Sequence, residues 1–176
     1  MASIAAATLP AEVISLLKDR ASLKILATTD GQGNPHAVVK GSLTVQDDGL
    51  LVYREAMESS RANANMLRSV WYDKVVSVLV VGSNGHAYQI KGKAHRYVIS
   101  GPIFKQHYLE ARREEGPDSE VAGVWLIEPV EVRNETFSVR KEEEDKKHPH
   151  MRHFDRASVS GVAATTETPT LGLGVI

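Results

Sequence analysis

The dipeptide Asn84-Gly85 sits between two β-rich runs, Lys74 to Val81 and His86 to Val98. Asn-Gly tolerates positive φ at both central positions of a two-residue turn, so the two runs are read as one antiparallel hairpin. Gly92, inside the return run, predicts a bulge or a close backbone approach. The same punctuation recurs upstream. Leu23 to Thr29 is strand-like and ends in Asp30-Gly31-Gln32-Gly33-Asn34-Pro35-His36. His36 to Val45 and Gly49 to Arg54 are strand-like too, with the hairpin signal Asp47-Asp48-Gly49 between them. Val121 to Val132 is the last clear strand. Short strands at such regular spacing predict a closed or nearly closed antiparallel barrel.

Helical periodicity appears in three places. Pro10 to Arg20 carries Val13, Ile14, Leu16 and Leu17 at helical spacing, and Pro10 suits a first turn. Ser60 to Tyr72 places Met66, Leu67, Val70 and Trp71 on one face. Pro102 to Glu115 is amphipathic and is ended by Gly116-Pro117. The expected class is therefore mainly β with flanking helices.

Composition removes several chemistries. The chain of 176 residues has no cysteine, which excludes disulfides, thiolate metal sites and thiol nucleophiles. The formal net charge of −1 gives no broad field for nucleic acid or an anionic membrane. The longest strongly apolar run, Val75 to Val81, has strand length and is too short to span a bilayer. No basic n-region precedes a long apolar run at the N-terminus, which argues against a secretory leader. A cytoplasmic protein is the expectation. Gly-x-Ser-x-Gly is absent, as is Gly-x-Gly-x-x-Gly between a strand and a helix, so serine-hydrolase and Rossmann readings fail.

One segment is suited to phosphate. Ser59-Ser60-Arg61 follows the strand ending at Tyr53-Arg54 and opens a helix. Two hydroxyls, a guanidinium and the free N–H groups of a helix start converge there, with Asn63 and Asn65 as further amide donors. The plainer reading is that Ser60 is an N-cap and Arg61 a solvated charge.

The stretch from about Leu23 to His107 resembles the pyridoxamine 5′-phosphate oxidase family of FMN-binding split barrels. The resemblance is carried by Gly33-Asn34-Pro35-His36, Leu51-Val52-Tyr53-Arg54, Ser60-Arg61, Val75 to Val81, and Gly92-Lys93-Ala94. It implies an antiparallel split β-barrel binding FMN non-covalently at a homodimer interface, and an oxidoreductase whose small-molecule substrate is unknown. It implies a flavin lying along Val38, Val39, Lys40, Gly41, Ser42 and Leu43. Tyr53 and Arg54 adjoin it, and Ser59, Ser60, Arg61 and Asn65 lie at its phosphate end. Lys40 is placed to set a cation near the ring edge where charge collects on reduction; the alternative is a surface lysine. Gln89 and Trp125 are the residues the partner chain is expected to present, although a tryptophan between Val124 and Leu126 also reads as core.

The departures are specific. The family's phosphate pair is two adjacent basic residues, whereas here it is Arg61-Ala62, with Arg54 as a replacement cation. The substrate lysine of a true oxidase falls at about Leu43. Tyr108 and Arg112 keep the family's four-residue spacing, but Arg152-His153 lacks the residue that separates the family's C-terminal Arg and His. Vitamin B6 synthesis is not expected, and no residue stands out as an acid, base or nucleophile. Two alternatives stay open. One is haem binding or degradation, which some split-barrel relatives perform, with a ligand from His148, His150 or His153. The other is a non-catalytic flavin-binding or sensing protein. A deazaflavin is also open.

The expected division is a barrel domain over 1–136 and a C-terminal tail or arm over 137–176. Arg140 to Lys147 is a charge run, and the remainder is small, polar and Gly/Thr-rich, the composition of a flexible tail. If ordered, it forms an extended arm across the barrel or a partner, anchored by Leu171, Leu173, Val175 and Ile176.

Overall fold

The computed structural model describes residues 7–148. The chain divides into two compact units, residues 1–140 and 141–176, and the described part of the second is residues 141–148, the end of one helix and the residue after it. The first unit is built on seven strands: β1 Leu23–Thr29, β2 Pro35–Val39, β3 Thr44–Val45, β4 Leu51–Glu55, β5 Val75–Val81, β6 Ala87–Val98 and β7 Gly123–Asn134. Its helices are α1 Ala11–Lys18, α2 Arg61–Trp71 and α3 Gly101–Glu115; α4, Phe137–Lys147, ends the described chain. No helix among the described residues is long and apolar enough to cross a membrane.

The strands form one antiparallel sheet in the order β2-β1-β5-β6-β7-β4-β3. Strands β2 and β3 lie at its opposite edges yet are joined by only Lys40 to Leu43. A link of that length spans no more than about 18 Å, so the sheet must curl until its edges nearly meet. The expected single strand from His36 to Val45 is thus two strands and a crossing. The Lys40 amide extends the β1–β2 ladder by bonding the Lys24 carbonyl, and the Leu43 amide turns back to the Lys40 carbonyl. Ser42 Oγ then accepts from the Arg54 amide at 3.1 Å and donates to the Arg54 carbonyl at 3.3 Å, taking the place of a ladder rung beside β4.

Alternation along the strands fills the curl. Leu26, Val76, Val78, Val80, Ile90, Tyr53, Trp125 and Ile127 point inward, and Val13 and Leu17 of α1 and Met66 of α2 join the same core. Each such side chain contributes roughly 1.5–3 kcal/mol by leaving water. Strand β7 is buried on both faces from Gly123 to Ile127. Its Val124 and Leu126 pack outward with Val52 against Ile103 and Phe104 of α3. Two-sided burial gives a continuous apolar run rather than an alternating one.

Helix α2 departs from expectation. Its buried face is Ala62, Asn63, Asn65, Met66 and Ser69, while Leu67, Val70 and Trp71 face outward, Trp71 at 83% exposure. The polar residues are inside because each is bonded there. Asn63 Nδ2 donates to the Glu58 carbonyl, Asn65 Nδ2 to Thr28 Oγ1, and Ser69 Oγ to the Asn65 carbonyl. The charge run from Arg140 to Lys147 is also not coil. It lies within α4, where Lys141–Asp145 and Glu142–Lys146 pair one turn apart. Residues 149–176, which hold His150, His153 and the expected anchors Leu171, Leu173, Val175 and Ile176, lie outside the described residues.

Candidate functional site

The crossing that joins the two sheet edges forms one wall of an open cleft of about 670 Å³. Val38, Val39, Lys40, Gly41, Ser42 and Leu43 line it, with Arg54 and Glu55 from the end of β4. The size is in the range of small-molecule and cofactor sites. The Gly41 and Ser42 amides donate to no described residue, and a side chain added at Gly41 would meet open space. The crossing therefore presents backbone donors to the cleft, as a strand edge does when it is not covered.

Charge is arranged by element. Lys18 enters from α1, Arg20 from the turn after it and Lys24 from β1; Glu110, Glu114 and Glu115 enter from α3. Lys24 is 3% exposed and its Nζ donates to the Asp19 carbonyl at 2.7 Å; burial lowers its pKa, against the pull of the Asp19 carboxylate. Lys40 is not a surface lysine. Its Nζ donates to Glu55 Oε2 at 2.6 Å, and Glu55 is 2% exposed. The same ammonium lies 4.9 Å from the centre of the Tyr53 ring. Arg54 is held by Glu114 at 3.1 Å and Glu115 at 2.7 Å. Lys40 of the crossing and Arg54 of β4 thus both have carboxylate partners within the chain.

His107 of α3 also lines the cleft and is 7% exposed. Its Nδ1 faces Glu110 Oε2 at 3.1 Å, while Nε2 is buried without a hydrogen-bond partner. Burial pushes the imidazole pKa below its ordinary value, outweighing the upward pull of Glu110. A neutral ring that donates from Nδ1 to a carboxylate leaves the Nε2 lone pair unused.

A second cleft of about 620 Å³ shares Ala56, Met57, Glu120 and Val121 with the first. Ser59, Tyr108, Arg112 and Ser119 line it. Arg112 lies over the Tyr108 ring at 4.9 Å, and the Ser119 hydroxyl is buried with no partner.

The remaining expected contacts are dispersed. Ser60 is the N-cap of α2, its Oγ accepting from the Asn63 amide at 3.0 Å. Arg61 opens that helix, is exposed, and makes no ion pair among the described residues; the Asp30 carboxyl is held below its ordinary pKa chiefly by hydrogen bonds from Asn34, with the Arg61 charge the smallest contribution. Asn65 is turned inward to Thr28. Gln89 lies on the outer sheet face, in register with Leu79 and Arg133. Tyr53 is 1% exposed, its hydroxyl unpartnered and its pKa raised by burial. Trp125 is sealed in its own core, stacked on Tyr97 at 4.7 Å, with Nε1 donating to Asn63 Oδ1 at 2.9 Å. A side chain so enclosed is not offered to a partner subunit; the core reading of Trp125 is the one the structure adopts.

The cleft residues not anticipated include Glu55, His107, Glu110, Glu114 and Glu115. His107, Glu110 and Glu114 do recur at i, i+3 and i+7, one polar stripe on a helix. That stripe was legible as a face, but nothing in the sequence places it opposite Arg54.

Among solved structures, HupZ of Group A Streptococcus superposes with a TM-score of 0.62 at 19% identity, over 74% of this chain and 96% of its own. A candidate pyridoxamine 5′-phosphate oxidase from Lactobacillus delbrueckii gives 0.53 at 26% identity, over 71% and 93%. An FMN-binding protein from Syntrophomonas wolfei gives 0.57 at 11% identity, over 72% and 83%. The fold is the split barrel of the pyridoxamine 5′-phosphate oxidase-like proteins. Other split barrels of this kind include an F420 reductase, with a TM-score of 0.54, 17% identity and 71% and 98% coverage. HutZ, the heme storage protein of Vibrio cholerae, gives 0.52 at 14% identity, over 73% and 95%. No protein-family model and no curated protein sequence matches the chain.

Proposed function

We propose that the protein binds FMN in the cleft beside the crossing and acts as a flavin-dependent oxidoreductase on a small molecule. The observation that carries this reading is the uncovered backbone at Gly41 and Ser42, facing a cleft of cofactor size. Those amides suit the carbonyl-rich edge of a flavin ring. Arg61, with no ion pair among the described residues, and the Arg61 and Ala62 amides at the start of α2, which donate to no described residue, suit a phosphate. When bound, the flavin supplies hydride and electron transfer, while the chain binds and orients it and fixes the charge around it. The buried Lys40–Glu55 pair sets a stationary dipole at the crossing. Tyr108, Arg112 and Ser59 in the adjoining cleft suit an anionic substrate.

A second copy of the chain fits the outer face of β2, β1 and β5. Val39, Ile25 and Leu79 lie in one row across these strands, flanked by Leu23 and Val81. Val39 is 58% exposed and Leu23 46%. Apolar rows of this extent on a sheet are suited to burial between subunits. Val39→Glu should leave the melting temperature close to that of the parent and shift a sedimenting dimer to monomer; a parent that sediments as a monomer at micromolar concentration contradicts this assembly.

One observation favours a second reading. His107 offers a neutral, unpartnered Nε2 oriented by Glu110 at the cleft wall, the arrangement typical of a metal-ligating imidazole. It keeps haem as the alternative ligand, for which His107 would be a candidate ligating imidazole beside the histidines His148, His150 and His153.

The spectrum of the purified protein separates these. FMN uptake with flavin absorbance supports the first reading. A Soret band on adding haem that is lost in His107→Ala supports the second. Protein that takes up neither ligand contradicts both.

A further inference from the structure

Two phenol hydroxyls, those of Tyr53 and Tyr97, are enclosed in the barrel and bond to no described residue. Strand register brings them to one place. Tyr97 of β6 and Tyr53 of β4 both pair with Trp125 of β7, so the three rings form one row across three strands. Tyr97 stacks on Trp125 and continues over the next residue on that face of β7, Gly123. A β-carbon built at Gly123 would lie 2.5 Å from the Tyr97 hydroxyl oxygen, so only glycine leaves that path open. Gly123 pairs in turn with Glu55 of β4. The Tyr97 hydroxyl is therefore carried across β7 toward the Glu55 carboxylate. Donors and acceptors do not balance there. Glu55 Oε2 accepts from Lys40 at 2.6 Å, but Oε1 has only the Met57 amide, at 3.5 Å. Burial, and after it the Glu55 charge, raises the pKa of both phenols, so both stay O–H donors.

We infer that a buried water site lies between Tyr53, Tyr97 and Glu55, and that the two tyrosines act through this water to hold Glu55 in place against Lys40. Water is the ligand whose chemistry fits. It accepts from both phenols and donates to Glu55 Oε1, and three bonds are what a buried water commonly makes. An anion would meet the Glu55 charge at close range, and a cation would face the Lys40 ammonium and two O–H donors. The neighbouring polar group shows the same rule already met: Trp125 Nε1 has its acceptor in Asn63 Oδ1. Tyr53 and Tyr97 are then positioning residues. Lys40 and Glu55 line the main cleft, whereas neither tyrosine does. The charge that a cleft ligand meets is thus fixed from behind, by hydroxyls that the ligand does not touch. A row that reads as plain aromatic core carries a polar function at one edge. The inference does not depend on which ligand the cleft takes.

Full-length Tyr53→Phe, Tyr97→Phe and the double variant test it. Each single change should lower the folding constant roughly three- to tenfold in denaturant titrations, as the loss of one net hydrogen bond does. The double change should cost clearly less than the sum, because the first already loosens the shared water. A phenol buried with no partner gives the opposite sign, since removing its oxygen relieves a desolvated group. Neutral or stabilising single changes therefore overturn the inference, and so do additive losses. Nuclear magnetic resonance supplies an independent reading on the parent, with the Phe variants assigning the signals. The Tyr53 and Tyr97 hydroxyl protons should both show cross-relaxation with one long-lived water. Hydroxyl protons that lack this contact, or that exchange with bulk solvent too fast to be seen, overturn the site even if the stabilities move as expected.

Discussion

Lys40 and Glu55 show how much one residue pair determines at this cleft. Glu55 is 2% exposed, and its carboxylate is compensated by an ammonium at 2.6 Å. Removing one partner leaves an uncompensated buried charge, which costs about 3–5 kcal/mol, whereas replacing both with apolar residues is often close to neutral. Lys40→Met should therefore lower the melting temperature far more than Lys40→Met combined with Glu55→Met, as thermal unfolding will show. Equal losses would mean the pair is not buried in solution. His107 makes a pH prediction with a definite sign. Its folded pKa lies below the ordinary value because burial disfavours the imidazolium. The unfolded chain then binds the proton more readily, so stability is intact above the unfolded pKa of about 6.5 and falls as pH drops through it toward the folded value. His107→Gln should flatten that acid limb below about pH 6.5 in a series of melts. An unaltered slope would contradict a buried, neutral His107.

At the scale of elements, the crossing and the bulge shape the site. Gly92 sits where the β6–β7 register shifts, and a β-carbon there would lie 2.5 Å from Ile127 Cγ2 and 3.0 Å from the Glu128 carbonyl oxygen. Backbone cannot yield as a side-chain tip does, so Gly92→Ala should destabilise by about 1–3 kcal/mol, measurable as a lower denaturant midpoint; no change would show that the strands part easily. This position was readable from sequence, because a glycine inside a strand has few other reasons to be there. The seam of the barrel was not. His36 to Val45 reads as one apolar, β-branched run, and only pairing with two different strands breaks it at Lys40. Helix α2 failed for the opposite reason. Hydrophobicity put Leu67, Val70 and Trp71 inside, but Asn63, Asn65 and Ser69 take that face because tertiary hydrogen bonds satisfy them. Periodicity alone does not register such partners. The charge run at Arg140 to Lys147 was likewise read by composition, which misses pairs one helical turn apart.

For the whole molecule, an antiparallel barrel was legible from turn chemistry and strand spacing, and its split form from the family resemblance, while the electrostatics of the cleft was not. Lys40 and Arg54 read as cations free for a ligand, and folding gives each a carboxylate distant in sequence: Glu55 across the crossing, Glu114 and Glu115 from α3. Trp125 read equally as ligand contact and as core, and the two-sided burial of β7 decides for core. What remains without a partner among the described residues is the backbone of Gly41 and Ser42 beside the cleft and, outside the residues that line it, Arg61 at the start of α2. The central claim is that this cleft takes a flavin by its ring edge and its phosphate. The most direct measurement is a fluorescence titration of the purified full-length protein, and of Arg61→Ala, with FMN and with riboflavin. The account predicts saturable FMN binding at one flavin per chain, weaker riboflavin binding, and a loss of roughly tenfold to a hundredfold for FMN alone in Arg61→Ala. Equal affinity of the parent for the two flavins, or equal weakening of both by the substitution, would contradict it.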